Sequence, residues 1–140
     1  MQIVLKSKDK TAASTVAALD SIERRIGKRN FRRIFKTMTC DNGCEFADTS
    51  GLEHSPNGTK RTKVYYCHPY CSSERGSNEN QNGFIRRFVP KGTAIKAYSE
   101  QRIQEIQDYI NTYPRRIFDG KNSLMLFQNE LRKLNILTFC

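Results

Sequence analysis

Apolar side chains recur along this chain at two spacings, and each spacing predicts one kind of secondary structure. A spacing of three or four residues is typical of a helix with one buried face. In the first third of the chain it joins Val16, Leu19, Ile22 and Ile26. Asp9 or Thr11 is suited to cap the start of this helix, and Gly27 is suited to end it. We expect the helix to lie on a β-sheet.

Alternation of apolar and polar side chains, which is typical of a strand, occurs at residues 1–6, where Met1, Ile3 and Leu5 share one face. A β-prone run from Thr37 then ends in an Asp-Asn-Gly turn, and a second strand is predicted over residues 63–67. Between them the sequence predicts a short helix near residues 46–52 and a turn-rich, basic loop over residues 55–61.

The second half of the chain is predicted to be helical. One helix begins near Ser77 or Asn78 and ends before Pro90. It carries Glu79 in its first turn, where the helix N-terminus stabilises a carboxylate, and Arg86 two turns further along the same face. An amphipathic surface helix with an ordinary cap is the alternative interpretation.

Two more helices follow from the helical spacing of apolar side chains. Ser99 is suited to cap the first, which is broken at Pro114, and Ser123 to cap the second. The inward positions predicted for these helices are Ile103, Ile106, Ile110, Leu124, Phe127, Leu131 and Leu134.

Charge adds the first information about function. The chain has 140 residues, which suits one domain, and 24 Lys and Arg against 14 Asp and Glu give a net charge of +10. Such a balance favours a polyanionic partner, either nucleic acid or an anionic membrane surface. The chain has no apolar run that could cross a bilayer and no signal sequence at its start, so we expect a cytosolic protein.

A basic run without an acidic residue concentrates this charge. It comprises Arg24, Arg25, Lys28, Arg29, Arg32, Arg33 and Lys36, with Phe31 and Phe35 between them. A charge run of this kind is either a solvated helix face or a surface for the phosphate backbone of DNA.

Five cysteines, in a chain without a secretion signal, argue against a disulfide framework. Cys40 and Cys44 form one spaced pair, Cys67 and Cys71 form another, and His68 lies beside the second pair. Structural zinc tolerates this spacing, so a zinc-binding module is an alternative.

Two stretches together resemble a known family. Asp41-Asn42-Gly43-Cys44-Glu45-Phe46-Ala47 is followed by a strand, a His-Pro-Tyr loop and a Glu-Arg-Gly-Ser-Asn-Glu-Asn-Gln-Asn-Gly segment that contains Glu79. In this order the motifs resemble the catalytic core of integrase-type DDE transposases of bacterial insertion sequences, and most closely the insertion sequence thirty family. Phe88-Val-Pro-Lys-Gly-Thr and the Asn-x-x-Pro-Arg segment at residues 111–115 are similar to it too.

The resemblance implies an α/β fold of the ribonuclease-H-like type, with a catalytic core in residues 1–98 and helices of the same domain in residues 99–140. It implies catalytic carboxylates at Asp41 and Glu79 that hold Mg²⁺ or Mn²⁺, because hard divalent ions prefer oxygen ligands. The partners implied are the terminal inverted repeats of the transposon and target DNA, with a homo-oligomer in the bacterial cytoplasm, at the nucleoid. The DNA-binding residues that we assign are Arg86, Arg87, Lys91, Arg75, Asn78, Asn80, Asn82, Arg32 and Arg33.

The sequence also departs from the family pattern. Members carry a first catalytic Asp on a strand upstream of the segment that corresponds to residues 1–6. The acids ahead of Asp41 are Asp9, Asp20 and Glu23, which the helical pattern assigns to a cap and a helix surface. We therefore expect the chain to be a C-terminal part of the catalytic domain, inactive and poorly stable by itself. A non-catalytic DNA-binding or regulatory fragment is the alternative from another class.

Overall fold

A computed structural model describes residues 1–68 and 76–136, and in these ranges the chain is a mixed α/β protein with six α-helices and a two-stranded sheet. The chain divides into two compact units. We call residues 7–68 the sheet unit, and Met1–Lys6 together with residues 76–136 the helical unit. The predicted boundary near residue 98 stays a prediction.

The sheet unit contains three helices and both strands. In chain order these are α1 (Ala12–Ile26), α2 (Lys28–Ile34), β1 (Thr37–Cys40), α3 (Thr49–Glu53) and β2 (Lys63–Tyr66). The strands pair in parallel, with Thr37 opposite Lys63 and Cys40 opposite Tyr66. One short helix was predicted between them, but a 3-10 turn at Cys44–Phe46 precedes α3. Helix α3 has its own N-cap at Asp48, whose Oδ1 accepts the N–H of Gly51 at 2.8 Å.

Helix α1 confirms the prediction from its spacing and caps. Thr11 is the N-cap, and its Oγ1 accepts the N–H of Ser14 at 3.2 Å. Asp9 supports this cap, because its Oδ1 accepts both the N–H and the hydroxyl of Thr11. The helix ends at Gly27, whose φ of 82° lies in the region that favours glycine. The buried apolar side chains of α1 are Leu19, Ile22 and Ile26.

The helical unit contains α4 (Gly76–Arg86), α5 (Glu100–Thr112) and α6 (Ser123–Lys133). Ser99 caps α5 as predicted, and its hydroxyl accepts the N–H of Arg102 at 3.1 Å. The cap predicted for α6 was wrong by one residue, because the side chain of Asn122 accepts the N–H of Met125 at 2.8 Å. No helix in the described part of the chain combines the length and apolar character needed to span a bilayer.

The strand predicted for residues 1–6 is not formed. The backbone there is held by side-chain amides of α5 and not by a neighbouring strand. The N–H and C=O of Gln2 bond to the amide of Asn111, each at 2.7 Å, and the N–H of Val4 donates to Gln107 Oε1 at 2.8 Å. Alternation predicts an extended backbone, but it cannot predict which groups satisfy that backbone.

Asn111→Leu is expected to lower the free energy of unfolding by about 1–3 kcal/mol, because both backbone groups of Gln2 would lose their partner in a partly buried place. Urea unfolding followed by far-ultraviolet circular dichroism measures this change. Asn129→Leu is the control, since Asn129 is exposed on α6. Equal stability of the two variants would contradict the anchoring role of Asn111.

Candidate functional site

Asp41 follows β1 directly, as the turn signal predicted. Its Oδ1 accepts the N–H of Gly43 at 3.2 Å, which closes a tight turn. The turn is tied to the end of β2, because the side-chain amide of Asn42 donates to the carbonyl of Cys67 at 3.0 Å. The N–H of Cys67 in turn donates to the carbonyl of Cys40 at 2.9 Å. The carboxylate of Asp41 is therefore fixed at the carboxyl ends of two parallel strands, a usual place for a site in α/β folds.

A second carboxylate, that of Glu45, lies beside Asp41 and was not among the predicted site residues. A Cβ atom built on Gly43 would lie 2.5 Å from Glu45 Oε2 and 3.0 Å from Asp41 Oδ1, so both carboxylates approach this glycine. Lys10 Nζ lies 3.5 Å from Glu45 Oε2 and offsets part of the negative charge. The signal in the sequence was Glu45 within the same motif as Asp41.

The other predicted catalytic acid is on α4, in the helical unit. Glu79 is the fourth residue of α4, which agrees with the helix predicted there. The side chains of Glu79 and Asn78, and the whole of Arg75, lie outside the described residues. The predicted roles of these three residues stay predictions.

The remaining DNA-binding candidates of the helical unit are solvent-exposed. These are Asn80, Asn82, Arg86, Arg87 and Lys91. Arg86 is the last residue of α4, seven positions after Glu79, and among the described residues it forms no ion pair or hydrogen bond. A cation at the end of a helix is favourable and leaves its charge available to an anion.

The basic run of the sheet unit spans the end of α1 and the whole of α2. Six of its cations are exposed, namely Arg24, Arg25, Lys28, Arg29, Arg32 and Lys36, whereas Arg33 is half-buried. Phe31 is fully buried, and its ring centroid lies 4.7 Å from that of Phe35. The two aromatic residues therefore hold α2 in the core, and the cations form an exposed surface.

Arg61 was assigned to a basic loop, but it lies in the core of the sheet unit with its side chain 0% exposed. Its guanidinium donates to Asp20 Oδ1 at 2.5 Å and to Glu23 Oε2 at 3.0 Å. It also donates to the carbonyls of Leu52 and Gly51, at 3.0 and 2.7 Å. One side chain therefore links α1 to α3.

This arrangement corrects the assignment of Glu23 to a helix surface, since Glu23 is 3% exposed. Its other oxygen, Oε1, accepts a hydrogen bond from the hydroxyl of Ser55, so both carboxylate oxygens are hydrogen-bonded within the core. A signal was present in the sequence, because Glu23 falls on the apolar stripe of α1 between Leu19 and Ile26. A carboxylate at such a position requires a buried cation.

Glu53 fixes the beginning of β2. Its Oε1 accepts the N–H of Val64 at 2.9 Å, and its Oε2 lies 3.2 Å from Lys60 Nζ. The hydrogen bond from Val64 and the neighbouring Lys60 lower the pKa of Glu53 below its ordinary value.

The chemistry of Asp41 fits a divalent ion, because a partly exposed carboxylate at a strand end offers the oxygen donor that Mg²⁺ and Mn²⁺ prefer. Among the side chains that the structure describes, which do not include that of Glu79, no group of three His, Cys, Asp or Glu is placed to hold a metal. For the zinc alternative, the side chains of Cys40 and Cys67 are buried and that of Cys44 is exposed. The fourth cysteine, Cys71, lies outside the described residues.

Several curated proteins are similar to this chain in sequence. A transposase of insertion sequence element IS1086 from Cupriavidus metallidurans is 30% identical over 129 residues, 92% of this chain. A probable transposase of insertion-like sequence element IS1161 from Streptococcus salivarius is 39% identical over 93 residues, 66% of the chain. Transposase InsI of insertion sequence element IS30A from Escherichia coli is 35% identical over 86 residues, 61% of the chain.

These alignments cover 36%, 25% and 21% of the three relatives respectively, so the chain spans about a third of their length or less. No protein-family model matches the chain, and no solved structure matches it. Relatives from three bacterial genera are nevertheless all described as transposases of insertion sequence elements or of an insertion-like element. The chain belongs to the transposases of bacterial insertion sequences, in the group that includes those of IS30A and IS1086.

Proposed function

We propose that the chain is part of the ribonuclease-H-like catalytic core of a DDE transposase. The observation that carries this proposal is the position of Asp41, directly after β1 and fixed to the end of the parallel strand β2. The chain continues from β2 toward α4, whose fourth residue is Glu79. In a chain related to transposases, two acids in this order of elements support a metal-dependent site for phosphoryl transfer.

Asp41 and Glu79 would hold Mg²⁺ or Mn²⁺ through their carboxylate oxygens. When bound, such ions supply activation of water and stabilisation of charge on the transferred phosphoryl group. The residues of this chain position the DNA: Arg86 holds a phosphate, and Arg87 and Lys91 contact the DNA backbone. Asn80 and Asn82 offer neutral polar contacts on the same helix, and Arg75 and Asn78 stay candidates for the same role.

The DNA partners proposed are the terminal inverted repeats of an insertion sequence and its target DNA. The exposed cations of α1 and α2, including Arg32, supply contacts to the phosphate backbone that do not depend on sequence. The whole protein is proposed to act as a homo-oligomer at the bacterial nucleoid, in the cytoplasm. Residues 1–140 carry two of the three acids, so we expect the 140-residue polypeptide by itself not to cleave DNA.

A second candidate function is DNA binding without catalysis, by a regulatory fragment. The exposed cations of the basic run favour it, because they bind phosphate whether or not a metal site is complete. Metal-dependent nicking of a supercoiled plasmid by the purified chain, abolished by Glu79→Ala, would exclude this second candidate.

Divalent-ion binding tests the catalytic assignment. Asp41→Ala and Glu79→Ala should each weaken Mn²⁺ binding by at least about tenfold, the loss that even an outer-shell partner typically causes. We expect binding by the unchanged chain to be weak already, because it carries two acids of the three. Isothermal titration calorimetry with Mn²⁺ measures the affinity of the unchanged chain and of each variant.

Glu100→Ala is a matched control, because Glu100 is also an acidic residue in the first turn of a helix, α5. Its Mn²⁺ affinity should equal that of the unchanged chain. Unaltered affinity in a chain that carries both Asp41→Ala and Glu79→Ala would remove the site assignment.

A further inference from the structure

Four aromatic rings from two helices form a continuous row in the helical unit. Phe84 and Phe88 come from α4 and the turn after it, and Tyr109 and Tyr113 come from the end of α5. Ring centroids are 5.1 Å apart for Phe88 and Tyr109, 5.8 Å for Tyr109 and Tyr113, and 5.7 Å for Tyr113 and Phe84. We call these four residues the aromatic row.

Packing between helices explains part of this row but not its exposure. Phe84 and Phe88 are half-buried, whereas 49% of Tyr109 and 37% of Tyr113 remain exposed. Neither tyrosine hydroxyl forms a hydrogen bond among the described residues. Two adjacent rings therefore leave a large part of their surface in contact with water, which a purely structural contact does not require.

Two arginines place positive charge at one end of the row. The guanidinium carbon of Arg87 and that of Arg115 each lie 4.9 Å from the ring centroid of Phe84. Within the described ranges neither arginine pairs with a carboxylate; Arg115 donates instead to the neutral amide of Gln81 at 3.0 Å. Two cations beside one ring, without an acid, form a place for an anion.

The position of Arg115 is fixed by its backbone. Its N–H donates to the carbonyl of Lys121, and its carbonyl accepts the N–H of Gly120, both at 3.1 Å. The neighbouring Pro114 and Asn122 form a β-bridge that closes the same loop. Arg115 is half-buried, and its Nε is buried without a hydrogen-bond partner among the described atoms.

We propose that the aromatic row, with Arg87 and Arg115, binds an unpaired stretch of DNA. One base stacks on the exposed rings of Tyr109 and Tyr113, and the adjoining phosphate lies at the two guanidinium groups. Partly exposed aromatic rings beside arginines that pair with no described carboxylate have the chemistry that single strands require, because every base has a face that stacks and every nucleotide carries a phosphate. This inference rests on the proposed DNA partner and names the form of DNA that this surface takes.

Fluorescence anisotropy with two labelled strands tests the proposal. One is oligothymidylate of about 12 nucleotides, within the usual site size, and the other is an abasic strand of the same length. Tyr109→Leu and Tyr113→Leu should each weaken binding of oligothymidylate by about 5- to 140-fold, which corresponds to the loss of one stacked base. Binding of the abasic strand should not change, because its phosphates remain.

Two further variants make the result specific. Tyr109→Phe keeps the ring and should keep the affinity. Tyr65→Leu is the matched control. Tyr65 is 46% exposed and its ring centroid lies 5.0 Å from Lys63 Nζ, so it is also an exposed ring beside a cation, but it belongs to the sheet unit. Equal losses for oligothymidylate and the abasic strand, or an equal loss in Tyr65→Leu, would overturn the proposal.

The unchanged chain is titrated with duplex DNA in the same series. If duplex DNA binds but oligothymidylate binds no better than the abasic strand, the stacking surface is contradicted and the proposed function is not. Absence of binding to any DNA would contradict the proposed function as well. Circular dichroism spectra of all variants, compared with the unchanged chain, separate loss of stacking from loss of fold.

Discussion

Arg61→Met is expected to lower the free energy of unfolding by about 3–5 kcal/mol, which is the usual cost of removing one partner from a buried ion pair. Total stability is about 5–15 kcal/mol for a domain, so the variant would be close to unfolding. The physical reason is that Glu23, which is 3% exposed, would keep a buried charge without its cation. The carbonyls of Leu52 and Gly51 would also lose their donor.

Urea unfolding measures this loss, with circular dichroism as the signal because the chain has no tryptophan. Lys60→Met is the control, since Lys60 is the residue before Arg61 and forms an ion pair with Glu53 while its side chain is 58% exposed. An exposed pair contributes about 0–1 kcal/mol, so the control should unfold nearly as the unchanged chain does. Similar losses in both variants would show that burial of Arg61 does not decide its contribution.

Replacing the six exposed cations of the basic run by Gln is expected to remove most of the affinity for duplex DNA at low salt. If each of these six cations neutralises one phosphate, together they contribute about −5 to the slope of log affinity against log salt. Affinity would then fall about a thousandfold over a fourfold rise in salt. The substituted positions are Arg24, Arg25, Lys28, Arg29, Arg32 and Lys36.

A matched pair of double variants makes this test specific. Arg24 and Arg25 are the basic residues in the last turn of α1, and Arg132 and Lys133 are those in the last turn of α6. Changing the first pair to Gln should reduce the salt slope by about 2, and changing the second pair should leave it unaltered. A slope that is small in the unchanged chain, or equal in the two double variants, would contradict a phosphate-binding surface on the sheet unit.

Most features that depend on neighbours along the chain were predicted correctly from the sequence, although the cap of α6 was wrong by one residue. The spacing of Leu19, Ile22 and Ile26, with Thr11 before them and Gly27 after them, defined α1 nearly to the residue. The Asp-Asn-Gly turn likewise placed Asp41 after a strand. Caps and tight turns are local because their hydrogen bonds join residues two to four positions apart.

Family membership was also determined by the sequence. The motifs around Asp41 and Glu79 resembled insertion-sequence transposases, and the similar proteins found are transposases of that group. The roles of these two acids are a different matter, because a metal site depends on distances between side chains that are far apart in the chain. These roles stay predictions that Mn²⁺ binding tests.

Only the tertiary structure decided which polar groups are buried and what satisfies them. Arg61 is 41 residues from Asp20 and 38 from Glu23, and no local pattern joins them. The backbone of Gln2 is held by Asn111, 109 residues away, so a segment with the alternation of a strand is not one. In both cases the local sequence did not specify the hydrogen-bond partner, and long-range packing determined it. A buried polar group takes the partner that the fold brings within hydrogen-bond distance, whatever its separation in sequence.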